Sequence, residues 1–277
     1  MNPLDAFALS LVILMGILFA VYHRKYAKPE ILKKELTEFN PVTAWLRAGM
    51  LFCLFFLISW ATGTMQAAVS SPIATPEQLT DPRWRMWVIS LTIFILMAYW
   101  GIWARYTIRF DRKLDLIPQT AFGLLWGLSF GQMLLSIWQI VVMLTPNWAS
   151  WQQGILAYVF ISLWQWLLMD MYWDIYISPE HDSPKSIKLK VPLTHVPNVT
   201  LSLIFFILYQ NFVIFIALQT LALLGASIHM RMPAPWSKEK TPAARREPSM
   251  FWGLPRCGGY ISEDPENDPY LKSAHLS

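Results

Sequence analysis

Residues 117–144 read IPQTAFGLLWGLSFGQMLLSIWQIVVML and contain no charged side chain. A helix needs roughly 20 mainly apolar residues to cross the hydrocarbon core of a bilayer, and this stretch exceeds that length. The flanking sequence has the same character, because no charge occurs between Asp115 and Asp170 or between Lys190 and Arg231. These uncharged stretches predict several membrane-spanning helices.

The composition of the whole chain agrees with that prediction. Of 277 residues, 55% are hydrophobic, 15% are aromatic and 14% are charged, whereas soluble domains carry about 25% charged residues. The composition excludes a soluble globular protein, and it excludes disorder over most of the chain, since disordered segments are polar and poor in aromatic residues. We expect an all-α polytopic membrane protein, with the lipid bilayer as its surroundings.

The apolar stretches predict seven spans, with six as the alternative. The alternative arises because residues 191–230 form either one long helix or two passes that turn at Gln210 and Asn211. Asparagine is a common turn residue, which favours two passes. The seven predicted spans are residues 5–22, 47–66, 84–104, 117–144, 151–170, 191–209 and 212–230.

The charges of the connecting segments predict the orientation. Residues 23–47, 105–113 and 171–190 together carry thirteen Lys or Arg residues, whereas residues 67–83 and 145–150 carry one. Basic loops stay in the cytoplasm. We therefore expect the N-terminus outside or in a lumen and the C-terminus in the cytoplasm. The membrane would be the endoplasmic reticulum in a eukaryote or the inner membrane in a bacterium.

The chain divides into two parts by composition. Residues 1–231 form the predicted transmembrane bundle, and residues 232–277 form a cytoplasmic tail with seven prolines and mixed charges. The tail is expected to be extended or disordered unless it docks on the bundle. The net charge of +4 and the pI near 9.0 come from loop residues that orient the chain, so nucleic acid is not an expected partner.

Several polar and small residues inside the spans favour helix packing. Gly123, Gly127 and Gly131 form two overlapping small-xxx-small steps, which allow two helices to approach closely. Side-chain amides within the apolar stretches are expected to hydrogen-bond between helices. Trp126 and Trp138 lie deep in a predicted span and indicate either core packing or a pocket.

The segment from Trp164 to Asn198 gathers most of the ionisable groups near a membrane boundary. Asp170 and Asp174 are one helical turn apart and share a face, which the indoles of Trp166 and Trp173 approach. Further candidates follow at the end of the span and at the start of the next apolar stretch: Glu180, His181, Asp182, His195 and Asn198.

Three interpretations of these carboxylates remain open. In the structural one, Asp170 and Asp174 end a helix and face water or pair with Lys185 and Lys188. In the catalytic one, a carboxylic acid in the bundle interior holds a proton at neutral pH and protonates an alkene or epoxide, while indole rings stabilise the carbocation. In the third, the carboxylates bind Mg²⁺ or a transition metal. No metal or cofactor is part of the preferred prediction.

The chain resembles the small seven-span membrane terpene cyclases of fungal meroterpenoid pathways. The resemblance rests on size, on span count and on the acidic and aromatic group that runs from Trp166 to Glu180. It implies a compact bundle in which membrane-embedded carboxylic acids start a cyclisation. Asp170 and Asp174 also resemble half of the signature of UbiA-type prenyltransferases, whose second acidic motif this sequence lacks.

Three functions therefore compete. The preferred one is an enzyme that cyclises or isomerises a hydrophobic, isoprenoid-type substrate. The others are a non-catalytic scaffold or accessory subunit with protein partners, and a proton-coupled transporter that uses the carboxylates as relay groups. The predicted catalytic residues are Asp170, Asp174 and Glu180. The predicted substrate-binding residues are Trp166, Trp173, Trp126, Trp138, His195 and Asn198.

Overall fold

A computed structural model describes residues 39–105, 107, 112–165, 177, 190–238, 249–251, 254–256 and 267. Within them, five helices are long and apolar enough to cross a membrane. They are Pro41–Ala61, Pro82–Arg105, Leu116–Leu144, Val191–Tyr209 and Phe212–Met230. The predicted span 5–22 lies outside the described residues, and the predicted span 151–170 lies only partly within them.

The described elements follow one another as a helical bundle. The helices are α1 (Pro41–Ala61), α2 (Thr64–Ser70), α3 (Pro76–Thr80), α4 (Pro82–Ile95), α5 (Trp103–Arg105), α6 (Leu116–Leu144), α7 (Ser150–Trp164), α8 (Val196–Tyr209) and α9 (Phe212–Met230). Two π-helical segments lie within spans: Leu96–Ile102 joins α4 to α5, and Val191–His195 precedes α8.

Helix α1 begins and ends earlier than the predicted span 47–66. It begins at Pro41 because the side chain of Asn40 accepts a hydrogen bond from the Thr43 N–H at 3.2 Å, and proline fits the first helical position. It ends before Gly63, whose φ of +78° is left-handed and breaks the helical ladder. The predicted bounds are wrong by about one and a half turns because this capping signal was not used.

The predicted division of residues 191–230 into two helices that turn at Gln210 and Asn211 is confirmed. Helix α8 ends at Tyr209, Gln210 takes a left-handed conformation with φ of +47°, and α9 starts at Phe212. The side chain of Asn211 accepts the Ile214 N–H at 2.9 Å and so caps α9. Its amide also donates to the carbonyl of Ile73 at 3.0 Å, which ties the turn to the loop before α3.

The glycine steps of α6 form its contact with α9, as predicted. A Cβ atom on Gly123 would lie 2.8 Å from the Cα of Leu224, and one on Gly131 would lie 3.1 Å from the Cα of Ile216. A Cβ on Gly127 would collide with the backbone of Thr220. The two helices therefore approach at a distance that only glycine permits along this line.

The core is aromatic and contains five buried tryptophans among the described residues. Trp126 packs edge-to-face beside Phe122, with 6.3 Å between ring centroids, and Trp138 packs against Phe206 at 5.7 Å. Both indoles are buried. The structure supports the packing interpretation for these two residues.

The start of the tail docks on the bundle. Met232 and Ala234 are buried, and the Trp45 indole donates to the carbonyl of Pro233 at 2.8 Å. The guanidinium of Arg112 donates to the Met230 carbonyl at 2.6 Å, which caps the end of α9. Further along the tail, Ser249–Phe251 and Leu254–Arg256 pair as a short antiparallel hairpin, whereas the described part of the bundle is all-helical, as predicted.

Candidate functional site

The two π-helical segments face each other and carry the polar groups of the candidate site. Tyr99 lies in the segment Leu96–Ile102, and His195 ends the segment Val191–His195. Pro192 removes one backbone N–H donor within the second segment, and Pro197 removes another in the first turn of α8, which follows it. π-Helical segments are rare in proteins as a whole, but where they do occur they are often found at functional sites.

A closed ring of hydrogen bonds lies behind His195 in the bundle interior. The Ser202 hydroxyl donates to the Asn198 side-chain oxygen at 3.3 Å, and the Asn198 amide donates to the Gln219 oxygen at 2.9 Å. The Gln219 amide donates to the Ser202 hydroxyl at 3.0 Å and closes the ring. All three side chains are buried and cannot hydrogen-bond to bulk water. Their hydrogen bonds to one another take the place of those that water would make.

One further hydrogen bond extends from Asn198 to Tyr99 and, through Tyr99, orients His195. The Asn198 amide donates to the Tyr99 hydroxyl oxygen at 3.4 Å, and that hydroxyl lies 3.1 Å from Nδ1 of His195. Because the Tyr99 oxygen accepts from Asn198, its proton is available to Nδ1. The Tyr99 hydroxyl can donate to Nδ1 in the tautomer of the His195 ring that carries its proton on Nε2.

Aromatic and cationic groups complete the cluster on the side of Trp103. The Trp103 ring stacks on Tyr99 with 5.6 Å between centroids and meets His195 edge-to-face at 4.8 Å. The ammonium of Lys190 lies 4.3 Å from the centroid of the Trp103 ring, within cation–π distance. We call these four residues, Tyr99, Trp103, Lys190 and His195, the boundary cluster.

The structure brings together two of the residues that the sequence nominated. His195 and Asn198 join through Tyr99 into one continuous network. Trp126 and Trp138 belong to the core contacts given above. The remaining predicted site residues, Asp170, Asp174, Glu180, Trp166 and Trp173, lie outside the described residues.

Sequence reasoning missed Tyr99, Trp103, Ser202 and Gln219. Spacing offered a partial signal, since Tyr99 and Trp103 are four residues apart, as are Asn198 and Ser202, so each pair shares a helix face. Trp103 lies near the end of a predicted span, yet its side chain is only 6% exposed and faces the interior of the bundle. Position along a span cannot reveal how the helix is rotated about its axis.

Three tryptophans are exposed at positions typical of an aromatic belt. Trp60, Trp148 and Trp151 are more than half exposed and lie at helix ends or in a connecting loop. Their exposure agrees with a position at a membrane–water interface. The Trp-rich composition therefore has two structural origins, interfacial rings and buried rings.

The metal alternative is not represented in the part of the chain that the structure describes. There, no three His, Cys, Asp or Glu side chains gather closely enough to hold an ion. The carboxylates on which that alternative depends lie elsewhere in the chain. The chemistry that the described cluster offers is hydrogen-bond donation, proton exchange at a histidine and cation stabilisation by aromatic rings.

Comparison with known proteins gives no relative from which a function can be transferred. No protein-family model matches the chain, and neither a curated protein nor a solved structure matches it.

Proposed function

We propose that this protein is an integral membrane enzyme that cyclises or isomerises a hydrophobic, isoprenoid-type substrate by acid initiation. The observation that carries the proposal is the hydrogen-bonded and aromatic cluster that joins Tyr99, His195 and Asn198. The span that bears His195 and Asn198 is the next one in the chain after the acidic segment 170–182.

The topology belongs to the same proposal. Seven spans place residues 23–47, 105–113 and 171–190 in the cytoplasm, with the N-terminus outside or in a lumen. The two passes of α8 and α9 support an odd number of spans, since they return residues 231–246, with their arginines and lysines, to the basic side. The boundary cluster then lies near the cytoplasmic face, because Lys190 and Arg105 are the basic residues that flank its helices.

The proposed chemistry needs an acid, a base and a lining that tolerates positive charge. A protonated Asp170, Asp174 or Glu180 would add its proton to an alkene carbon, which leaves a tertiary carbocation. Ring closure or migration would follow, and loss of a proton to a basic group would end the reaction with unchanged mass. Trp166, Trp173 and Trp103 would stabilise the cation through their ring faces.

The proposed role of His195 and Asn198 is to hold the substrate. Asn198 is held by three polar neighbours, so the Tyr99 hydroxyl and the His195 ring have a defined orientation. Side chains that are already held in place lose less conformational entropy when a ligand binds than mobile side chains do. The resemblance to fungal membrane terpene cyclases supports the same proposal through size, span count and the acidic and aromatic group.

The test is mass spectrometry of organic extracts from cells with and without the protein, with the native precursors present. We expect a product of unchanged mass and shifted retention, lost in the variants Asp170→Asn and Asp174→Asn. Glu77→Gln is the matched control, because Glu77 lies on the short exposed helix α3 outside the five candidate spans. That variant should form the product normally.

Three results would overturn the proposal. Identical extracts with a well-expressed protein would favour the non-catalytic scaffold, for which co-purifying stoichiometric partners are the positive sign. Normal turnover in both aspartate variants would remove the carboxylates from the mechanism. Substrate movement in proteoliposomes without chemical change would favour the proton-coupled transporter.

A further inference from the structure

The first residues of the tail, 231–238, are fixed to the end of the bundle by hydrogen bonds to two other parts of the chain. The Trp45 indole, in the second turn of α1, donates to the Pro233 carbonyl at 2.8 Å. The guanidinium of Arg231 donates to the Arg112 carbonyl at 2.7 Å. The start of the tail therefore has a defined position at the end of the bundle where α1 begins and α9 ends.

A turn in this segment leaves two side chains on the outside. The Ser237 N–H donates to the Ala234 carbonyl at 2.9 Å and closes the turn. Ala234 is buried, whereas Trp236 is 70% exposed and Lys238 is also exposed. Because the backbone before them is held by the bundle, these two side chains are presented at a defined level relative to the spans.

The loop before α6 exposes apolar side chains at the same end of the bundle. Leu114, Leu116 and Ile117 are all more than half exposed, and they follow Arg112, which is bonded to Arg231. The 29 residues of α6 measure about 44 Å, longer than the hydrocarbon core of roughly 30 Å, so the ends of this helix reach the headgroup layers. Exposed indole and aliphatic side chains at this level are typical of contact with the interfacial layer of a bilayer.

The charge of the tail indicates which lipids suit this surface. Residues 231–246 contain five Lys or Arg residues and one acidic residue, Glu239. A basic segment that directly follows a membrane span is attracted to negatively charged lipid headgroups. The basic charge and the exposed indole therefore favour the same partner, an anionic bilayer surface.

We propose that Trp236 and Lys238 bind the headgroup layer of anionic phospholipids, with the indole ring between headgroups and the ammonium beside their negative charges. We call these two residues the tail anchor. The inference goes beyond the proposed function, because the tail anchor contains no residue of the boundary cluster and takes no part in the chemistry.

The position of Trp236 is tested with the full-length protein, labelled with 5-fluorotryptophan, in nanodiscs of phosphatidylcholine and phosphatidylserine. The ¹⁹F NMR signal of Trp236 is assigned by its absence in Trp236→Phe. We expect phosphatidylserine with a spin label near its headgroup to broaden this signal more than a water-soluble gadolinium chelate does. Trp138 is the internal control, because it is buried in the core and neither reagent should broaden its signal.

The preference for anionic lipid is tested by replacing phosphatidylcholine stepwise with phosphatidylserine. We expect the Trp236 signal to shift saturably, and added salt to reverse the shift, since salt screens exposed charges. Lys238→Gln should weaken the apparent affinity for phosphatidylserine by about fivefold, the value for one lysine at an anionic surface, and Lys238→Arg should restore it. Arg85→Gln is the matched control, because Arg85 is exposed at the start of α4, at the opposite end of the bundle, and it should bind normally.

Two results would overturn this inference. A Trp236 signal that the gadolinium chelate broadens and the lipid probe does not would place the ring in water. An unchanged phosphatidylserine response in Lys238→Gln would show that the lysine does not recognise the anionic headgroup. Both substituted side chains are exposed, so the variants should fold, and the signal of the buried Trp138 verifies this in each sample.

Discussion

The contact between α6 and α9 and the boundary cluster join helices of one bundle by opposite means. The first is built from glycines, with Gly123 and Gly127 so close to α9 that a single added carbon would clash with backbone. The second is built from large rings and hydrogen bonds on π-helical backbone. Close backbone contact makes the first interface rigid, whereas the second places chemically active groups where two helices depart from α geometry.

The difference teaches where function is to be expected in a bundle of this kind. Helix association in lipid depends on close packing and on hydrogen bonds, since burying apolar surface there gains little. An interface of small residues needs no polar group to be stable. A polar and aromatic interface that could have been built from small residues therefore indicates selection for something besides packing.

The largest effect is expected from alanine in the glycine contact. Gly127→Ala forces α6 away from the backbone of Thr220, and we expect a loss of roughly 2–3 kcal/mol in the free energy of unfolding. Gly49→Ala is the matched control, because nothing lies within 4 Å of a Cβ there and alanine favours helix by roughly 1 kcal/mol. Unfolding in mixed micelles with increasing dodecyl sulfate measures both. Equal stability of the two variants would contradict the assigned rigidity.

The next effect concerns the closed hydrogen-bond ring. Asn198→Leu leaves Gln219 and Ser202 without their partner in the interior, and we expect a loss of about 1–2 kcal/mol in unfolding free energy. The double variant Asn198→Leu/Gln219→Leu should cost less than the sum of the single variants, since it removes both ends of one bond. Strict additivity in the same unfolding assay would show that the ring does not act as a unit.

A smaller change in stability is expected from Tyr99→Phe, with a clear spectroscopic effect. Loss of the hydroxyl removes the donor to Nδ1 of His195, so the neutral ring should change from one tautomer to a mixture. ¹⁵N NMR of the histidine nitrogens measures this, while the unfolding free energy should fall by about 1 kcal/mol or less. Tyr158→Phe removes a hydroxyl from α7 and should leave the His195 signals unchanged. An unaltered tautomer in Tyr99→Phe would contradict the positioning role.

The smallest effect lies outside both interfaces, at α3. The pKa of the exposed Glu77 carboxyl is held below its ordinary value, first by a backbone N–H hydrogen bond and then by the Thr75 hydroxyl. A lowered pKa stabilises the folded loop above the ordinary pKa of Glu, and this contribution is lost as the pH falls through the folded value. An NMR titration should place the midpoint below that of a free glutamate, and Thr75→Val should raise it. A midpoint at the ordinary value would contradict the hydrogen bonds.

Much of the fold followed from local features of the sequence. The span Leu116–Leu144 and the break after it agree with the prediction. An uncharged stretch and the proline that follows it can both be recognised in the sequence alone. The turn at Gln210 and Asn211 was predicted from residue type and charge balance, and the glycine contact from spacing. The start of α1 was missed because Asn40 and Pro41 were not weighed as a capping pair.

The candidate site could be predicted only in part. His195 and Asn198 were nominated because they are polar residues at the start of an apolar stretch. Their partner Tyr99 is 96 residues from His195 in the chain, and no local signal links them. Trp103 lies near the end of its span, and only the rotation of the helix about its axis buries it.

The sequence by itself determined the class of protein, the approximate spans and the helix contact that requires glycine. These depend on length, charge and residue size, which a bilayer constrains locally. Tertiary structure alone decided that two π-helical segments meet and that Tyr99, Trp103 and Lys190 surround His195. In lipid both the buried and the exposed faces of a helix are apolar, so hydrophobic periodicity does not reveal which face turns inward. That rotation is set by packing across the whole bundle.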